Sequence, residues 1–505
     1  MSDAPLILGV SGLRGIVGES LTPEVAVRYA GAFGSWLREN RRSVETVVVG
    51  RDGRAGGEVF YYAVISALLG MGFDVEAVDF VMTPTMGVLV DTHAGVAAGL
   101  IITASHNPLE WNGIKALLPS DDSAELVDAS APSASDASEI IEAFQGGDVA
   151  WTNYSGELID SVEMATEEHV ATVRQRVFAH FGDALLTKHF VAVTDCVNAS
   201  GGFGSSALLQ RLGVRSVPLF SDGSGIFPHT PEPTRENLSG KGGLCDAVPG
   251  LKADVGFAQD PDADRLAIVD EKGNYIGEEY TLVLCATALM EARASARAEA
   301  SETRARGSLK PVFVVNLSTS RMIDDIAARY GAEVVRTPVG EANVVEVMKR
   351  LKAEGRDVVM GGEGNGGVIW PEVTYVRDSL SAMALTLALM ARTGKTVSEL
   401  VAMVDAMGPG GKGYCIVKRK APLASKADAE PVVRHLAEVF GKDAEARVDT
   451  QDGVRIDWDA RGVWAHIRAS NTEPIMRVIV EAPTEPLANE TAALVESRIA
   501  EVRAS

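Results

Sequence analysis

Four short stretches of the chain gather side chains able to do chemistry. In GLIITASHNP (Gly99–Pro108) an apolar run stops abruptly on Ser105, His106 and Asn107. Ser105 is there a nucleophile, a ligand, or a capping or turn residue. DPDADR alternates the carboxylates Asp260, Asp262 and Asp264 around Pro261 and ends on Arg265. In an extended or turned backbone such oxygens converge on one hard cation, and without a flanking histidine they suit Mg2+ with room for an outside oxygen. A guanidinium beside that metal makes a phosphate clamp; without a ligand the stretch is an acidic surface turn. GGEGNGG (Gly361–Gly367) lets a ligand approach backbone at Gly362, and Glu363 and Asn365 suit sugar hydroxyls. It lacks the GxGxxG pattern of a dinucleotide site, and the alternative is a flexible turn. RASNTEPIMR (Arg468–Arg477) places Arg468, Ser470, Asn471 and Thr472 together, matching either a phosphate dianion or a capped hairpin turn. GVSGLRG (Gly9–Gly15) is a further Gly-rich turn, carrying Arg14.

Ser105 lacks the GxSxG elbow of an α/β hydrolase. His106 is adjacent to it, and neighbouring side chains diverge in extended backbone, so the imidazole is a poor base for that hydroxyl. An acidic metal loop, arginines and a phosphate-shaped turn instead suit phosphoryl transfer, in which the protein positions groups and neutralises charge. A phosphorylated Ser105 would be metal ligand and phosphoryl donor together. Lys115, in EWNGIKA, is a candidate acid or base if burial and neighbouring charge lower its pKa.

The elements that must position these residues are βα units. TVVVGRDGR precedes GEVFYYAVISALLGMG, HFVAVTDCVNASGG precedes SSALLQRLG, and VFVVNLSTS precedes RMIDDIAARYG. Strand, turn, helix is the pattern of largely parallel sheets, and its recurrence predicts several related α/β domains. Ligands in such sheets bind beyond the carboxyl ends of strands, where Ser105 and the acidic loop fall. The last hundred residues or so alternate polar and apolar, which predicts antiparallel strands with flanking helices, an α+β domain. The Ser/Ala-rich acidic segment 119–139 and the Ala/Arg/Glu-rich segment 291–308 are expected as solvated loops or frayed helix.

At 505 residues the chain is too long for one core. A net charge of −22 disfavours nucleic acid and anionic membranes as partners, while local cations still admit a small phosphorylated ligand. No apolar run reaches the roughly 18 residues of a membrane span. The N-terminus lacks a secretory signal pattern, and four scattered cysteines fit reduced thiols, so a cytoplasmic location is expected.

Together the motifs resemble the α-D-phosphohexomutase superfamily of phosphoglucomutases, phosphomannomutases and phosphoglucosamine mutases. They occur in that superfamily's order from Gly9 to Arg477, and IFPHTPEPTRENL resembles a further family stretch. The resemblance implies three related mixed α/β sheet domains and a C-terminal α+β domain around a central cleft, drawn here at 1–155, 156–276, 277–390 and 391–505. It implies a phosphorylated Ser105 that exchanges its phosphoryl group with a hexose phosphate through a hexose 1,6-bisphosphate. Ser105, Asp260, Asp262 and Asp264 would hold Mg2+. Arg14 and Arg265 would neutralise the transferring group, Lys115 would serve as acid or base, and His106 would contact phosphate or shape the loop. Gly362, Glu363 and Asn365 would meet the sugar, and Arg468, Ser470, Asn471, Thr472 and Arg477 the distal phosphate. Many bacterial members end the sugar loop in Ser-Gly-His, where Asn365, Gly366 and Gly367 stand here. Many also carry Lys, sometimes with His, where TPVGEANV (Thr337–Val344) stands. Both stretches are most similar to the archaeal-type phosphoglucosamine mutase branch. Glucosamine phosphate is therefore the expected substrate, with dual phosphomannomutase/phosphoglucomutase activity as the alternative and a non-catalytic sugar-phosphate-binding relative as a remote one. A monomer or homodimer is expected.

Overall fold

The apolar runs of the sequence become the strands of four successive sheets. The structure is a computed structural model that describes residues 4–40, 46–93, 95–119, 128–147, 149–161, 165–299, 309–470 and 474–504.

The first sheet contains β1 (Leu6–Gly9), β2 (Gly12–Ile16), β3 (Thr46–Arg51), β4 (Asp74–Phe80), β5 (Val96–Ile102), β6 (Trp111–Leu117) and β7 (Leu158–Asp160). Their order is β1-β2-β6-β5-β3-β4-β7. Strands β5, β3, β4 and β7 run parallel, and the hairpin partners β6, β2 and β1 run antiparallel. Every residue of β5 is buried because both faces are covered. Val47, Val49, Leu100 and Ile102 pack with helices Pro23–Asn40, Gly57–Gly70 and Ala134–Gly146, while Val48 and Ile101 pack with helix Thr83–Thr92. The Ser/Ala-rich segment is thus not wholly solvated. Ser133 and Asp136 form a capping box, and Ala137, Ile140 and Phe144 give the Ala134–Gly146 helix a buried face.

The second sheet holds β8 (Val191–Asp195), β9 (Arg215–Leu219), β10 (Val255–Gln259) and β11 (Leu266–Val269), in the order β11-β10-β8-β9. The third holds β12 (Pro311–Asn316), β13 (Glu333–Thr337), β14 (Asp357–Glu363) and β15 (Gly367–Ile369), in the order β13-β12-β14-β15. One apolar core joins the two, with helix Ser379–Thr393 in its middle. Residues Ser379 to Ala391 of that helix are all buried, as an all-round apolar helix must be. The divide drawn at 155/156 lies in the connection ahead of β7, and the one drawn at 390/391 lies inside the central helix. Leu158–Asp160 still pairs with β4, and this central helix runs through residue 390.

The last sheet is antiparallel, with β16 (Cys415–Pro422), β17 (Arg447–Asp449), β18 (Val454–Trp458), β19 (Val463–Ala469) and β20 (Ile475–Ala482) in the order β16-β20-β19-β18-β17. Alternation sends Val454, Ile456, Ala465, Ile467, Val478 and Val480 into a core with helices Ala429–Phe440 and Glu485–Ala504. The other face is polar and meets the third unit. His466 Nε2 donates to the Asp452 carbonyl at 2.7 Å, so its Nδ1 accepts from Ser318 Oγ at 2.8 Å. Arg321 N donates to Glu481 at 2.9 Å, and Arg455 donates to the Leu317 carbonyl. No helix among the described residues is long and apolar enough to cross a membrane.

Burial pushes His466 down to about 4, so the folded protein keeps it neutral where an unfolded imidazole gains a proton. Lowering the pH from 7 to 5 is therefore expected to remove about 2 kcal/mol from the stability of the folded protein. In His466→Asn, thermal unfolding should lose less of its midpoint over that range than the wild type does. Equal losses in both proteins would assign the acid sensitivity elsewhere.

Candidate active site

Ser105 leaves β5 in a left-handed backbone conformation, φ +52°, which is costly for a residue with a Cβ and needs support. Thr103 Oγ accepts from Ser105 N at 2.9 Å and donates to Asp52 at 2.7 Å. Arg54, paired with Asp52 at 2.9 Å, donates to the carbonyls of Ser105 at 2.5 Å and Trp111 at 2.7 Å. Arg54 and Asp52 follow β3, so this support comes from the strand beside β5. It leaves Ser105 Oγ free to donate to Asp260 at 3.0 Å.

Asp260, Asp262 and Asp264 sit between β10 and β11, wholly buried, with carboxylate oxygens within 4.8 Å of one another. Asp260 accepts on both oxygens, from Ser105 Oγ and from Arg265 N at 3.2 Å, whereas neighbours fix one side of each of the other two carboxylates. Asp262 Oδ2 accepts from Thr83 at 2.7 Å and from Lys115. Asp264 Oδ2 accepts from Lys115 at 3.2 Å and from Arg377 at 2.5 Å. The opposite oxygens, Asp262 Oδ1 and Asp264 Oδ1, are buried without a hydrogen-bond partner. Buried carboxylate oxygens are costly to leave unsatisfied, so the residues fit a hard divalent cation facing those atoms. Burial pushes Asp260 well above its ordinary value, and its two neighbours add to that. Burial also raises Asp264, but Arg377 and Lys115 outweigh it and hold the group below its usual range.

Lys115 departs from expectation. Burial lowers its pKa, but Asp262 and Asp264 outweigh burial and the net direction is upward. The ammonium is a held counter-charge, the opposite of the lowering that the sequence reading required. His106 Nδ1 lies 3.4 Å from Ser105 Oγ, and burial with the guanidiniums of Arg265 and Arg14 pushes it down to about 2. It is neutral, and the two side chains do not diverge as expected of extended backbone, because Ser105 is left-handed. Arg14 on β2 donates to Asn107 at 3.0 Å and stands opposite Gly113 on β6. A Cβ on Gly113 would lie 2.2 Å from the Leu13 carbonyl, so only glycine admits this approach. Arg265 Nε lies 3.9 Å from Asp264 and has no hydrogen-bond partner.

Glu363, at the end of β14, is more heavily engaged than a free hydroxyl acceptor. Asn316 at 2.8 Å and Gly340 N at 3.2 Å donate to one oxygen, Arg377 at 2.7 Å and Asn365 at 3.3 Å to the other. Gly362 is required by packing, since a Cβ there would lie 2.3 Å from the Gly367 carbonyl. Arg468 and Arg477 stand opposite each other on β19 and β20, with Arg477 exposed. Arg468 pairs with Asp452 at 3.3 Å, and Asp452 accepts from Val339 N at 3.1 Å. The C-terminal loop is thereby linked through TPVGEANV to Glu363. Ser470 is buried at the strand end, and its N donates to the Ile475 carbonyl at 3.0 Å. Asn471 and Thr472 lie outside the described residues.

Sequence reasoning missed Asp52, Arg54, Thr83, Thr103, Glu341 and Arg377. Arg54 and Asp52 lie in GRDGR, which directly follows a strand and so carried a usable signal. Thr83 and Arg377 carried none, because their contacts join separate sheets.

Removing the Thr83 hydroxyl with Thr83→Val should weaken Mg2+ binding about 10- to 100-fold, as losing the support of a ligand does. Titration calorimetry on the folded variant measures this. Unchanged affinity would show that Asp262 keeps its orientation without Thr83.

Profiles of the phosphoglucomutase/phosphomannomutase family match in succession: α/β/α domain I at residues 5–128, domain II at 167–273, domain III at 278–407 and the C-terminal domain at 415–497. The chain is 35% identical over 485 residues to a probable phosphoglucosamine mutase of Methanopyrus kandleri, covering 95% of each chain. It is 34% identical over 487 residues to a phosphoglucomutase/phosphomannomutase of Thermococcus kodakarensis, covering 96% of each. Its fold matches a crystal structure described as a putative phosphomannomutase from Thermus thermophilus, with a TM-score of 0.74, 25% identity and coverage of 98% and 99%. This chain belongs to the phosphoglucomutase/phosphomannomutase family.

Proposed function

We propose that the chain is a phosphohexose mutase that interconverts hexose 6-phosphate and hexose 1-phosphate, with glucosamine phosphate as substrate. The observation that carries this reading is Ser105 Oγ held 3.0 Å from Asp260, in a cluster of three acids within 4.8 Å of one another, two of which each keep one buried oxygen without a hydrogen-bond partner. Mg2+ bound by Ser105, Asp260, Asp262 and Asp264 would supply charge neutralisation for a transferring phosphoryl group.

In the forward step the bond between phosphorus and Ser105 Oγ breaks, and a bond forms between phosphorus and a sugar hydroxyl oxygen. The hydroxyl proton leaves to a base, and the product is a hexose 1,6-bisphosphate. After that intermediate turns over, Ser105 takes the other phosphoryl group and a proton returns to the sugar oxygen. Lys115, held as an ammonium between Asp262 and Asp264, would be the acid that returns a proton to the sugar oxygen, and would serve as the base for the hydroxyl only after giving up its own proton. Arg14 and Arg265 offset the charge of the group in transit. Glu363 and Asn365 face the sugar by exchanging present hydrogen bonds for its hydroxyls. Arg468, Ser470 and Arg477, with Asn471 and Thr472, would take the distal phosphate.

Support for glucosamine phosphate comes from the sugar-loop sequence and the similarity to the Methanopyrus protein. A dual phosphomannomutase/phosphoglucomutase is the second reading, favoured by the nearly equal similarity to the Thermococcus protein. A cytoplasmic, monomeric or homodimeric enzyme completes the proposal.

Intact-mass measurement of purified protein should show a fraction heavier by one phosphoryl group, mapping to Ser105. Ser105→Ala should lower mutase turnover by at least ~10^3-fold, and full activity in that variant would end the phosphoserine reading. Side-by-side kcat/KM values for glucosamine, glucose and mannose 1-phosphates, with Mg2+ and a bisphosphate primer, should favour glucosamine. Equal values for glucose and mannose, above that for glucosamine, would establish the second reading.

A further inference from the structure

One buried guanidinium touches both halves of the site, and the sequence reading did not single it out. Arg377 precedes the central helix Ser379–Thr393, and its side chain is 9% exposed. Its Nη2 donates to Asp264 Oδ2 at 2.5 Å, and its Nη1 donates to Glu363 Oε2 at 2.7 Å. Its Nε lies 3.4 Å from Glu341 as an ion pair without a hydrogen bond, while Arg377 N donates to Glu341 at 2.9 Å. The three nitrogens of one planar group thus reach the metal loop, the sugar loop and the TPVGEANV stretch.

The surrounding chain fixes where this fork sits. Asp378 caps the central helix at Leu380 N and Ser381 N. It also pairs with His169 at 3.1 Å, and the other nitrogen of His169 meets Thr85 at 2.9 Å. Ser379 donates to the Ala263 carbonyl at 2.6 Å, inside the metal loop. The stem of Arg377 lies over Gly367, where a Cβ would come within 2.3 Å of Arg377 Cδ. Residues from the first three units therefore hold the guanidinium rigidly, and Gly367 makes room for it.

A cation that served only to neutralise buried acids would need one contact and no fixed plane. Arg377 divides its nitrogens between Asp264, whose other oxygen faces the cation position, and Glu363, whose present donors must yield to a sugar. We propose that Arg377 is a positioning residue that couples the metal loop to the sugar loop, so that sugar occupancy changes Mg2+ affinity and Mg2+ changes sugar affinity. Any movement of Glu363 toward a sugar hydroxyl pulls on the group that orients Asp264. By thermodynamic linkage the effect is reciprocal. The inference rests on the mutase reading of the site.

The test uses dephosphorylated full-length protein, which has no phosphoryl group to transfer. Mg2+ is titrated by calorimetry with and without saturating glucosamine 6-phosphate, giving a ratio of affinities. In Arg377→Lys, one ammonium keeps the charge but does not span three carboxylates. That ratio is expected to fall more than about five-fold in Arg377→Lys and in Arg377→Gln, the lower end of ordinary coupling between sites. Thermal unfolding confirms that each variant is folded; if neither is, Glu341→Gln loosens the same fork and carries the same readout. A smaller fall in Arg377→Lys overturns the proposal, because charge alone then suffices, and so does a wild-type ratio below five. Isomerisation by the phosphorylated wild type is assayed separately. Its absence, with sugar phosphate still bound, refutes the mutase reading while the coupling ratio stays measurable.

Discussion

Three carboxylates repel one another inside a buried loop, and most of the site is arranged around that repulsion. At separations of no more than 4.8 Å and an effective dielectric of about 20, each pair, when both members are charged, costs at least about 3 kcal/mol. Lys115 comes from the first sheet, Arg377 from the start of the central helix and Thr83 from the helix after β4. These three bind the Oδ2 atoms of Asp262 and Asp264 and leave both Oδ1 atoms unpaired. Offset on one side and unsatisfied on the other, the cluster has the donor set that a divalent cation would fit. An inert acidic turn would face solvent; this one has no exposure.

Ser105 poses a second demand, because its backbone conformation is unfavourable and must be maintained from outside its own loop. Thr103 and Arg54 do this with hydrogen bonds to the Ser105 N–H and carbonyl, and Asp52 fixes both of them by accepting from each. The strain is confined to a point that three side chains over-determine, which keeps the hydroxyl aimed at Asp260. Local conformation and long-range charge balance therefore meet at one oxygen.

Much of the fold was legible in the sequence. Buried parallel strands read as continuous apolar runs, and GRDGR, ASHNP, DPDADR and GGEGNGG each follow such a run, where ligand loops belong. The alternation from Arg447 to Ala482 disclosed an antiparallel sheet because one face packs on helices. Where composition misled, the cause was specific: Asp128, Ala129, Ser130 and Ala137 are buried inside a segment dominated by Ser, Ala and Asp, and its end begins a helix whose apolar face continues beyond it with Ile140 and Phe144.

The residue types and spacing by themselves determined the chemistry on offer: a serine at a strand end, three alternating acids, a glycine-rich loop and a basic turn. Tertiary structure alone decided the protonation and engagement of those groups. Lys115 is held as a cation, His106 is neutral, and Glu363 is saturated by four donors. Each outcome depends on charges and hydrogen-bonding groups that lie far apart in the chain. Asp264 and Arg377 are 113 residues apart and 2.5 Å in contact. Spacing along a chain encodes local geometry, whereas the electrostatic state of a buried group is set by everything packed around it.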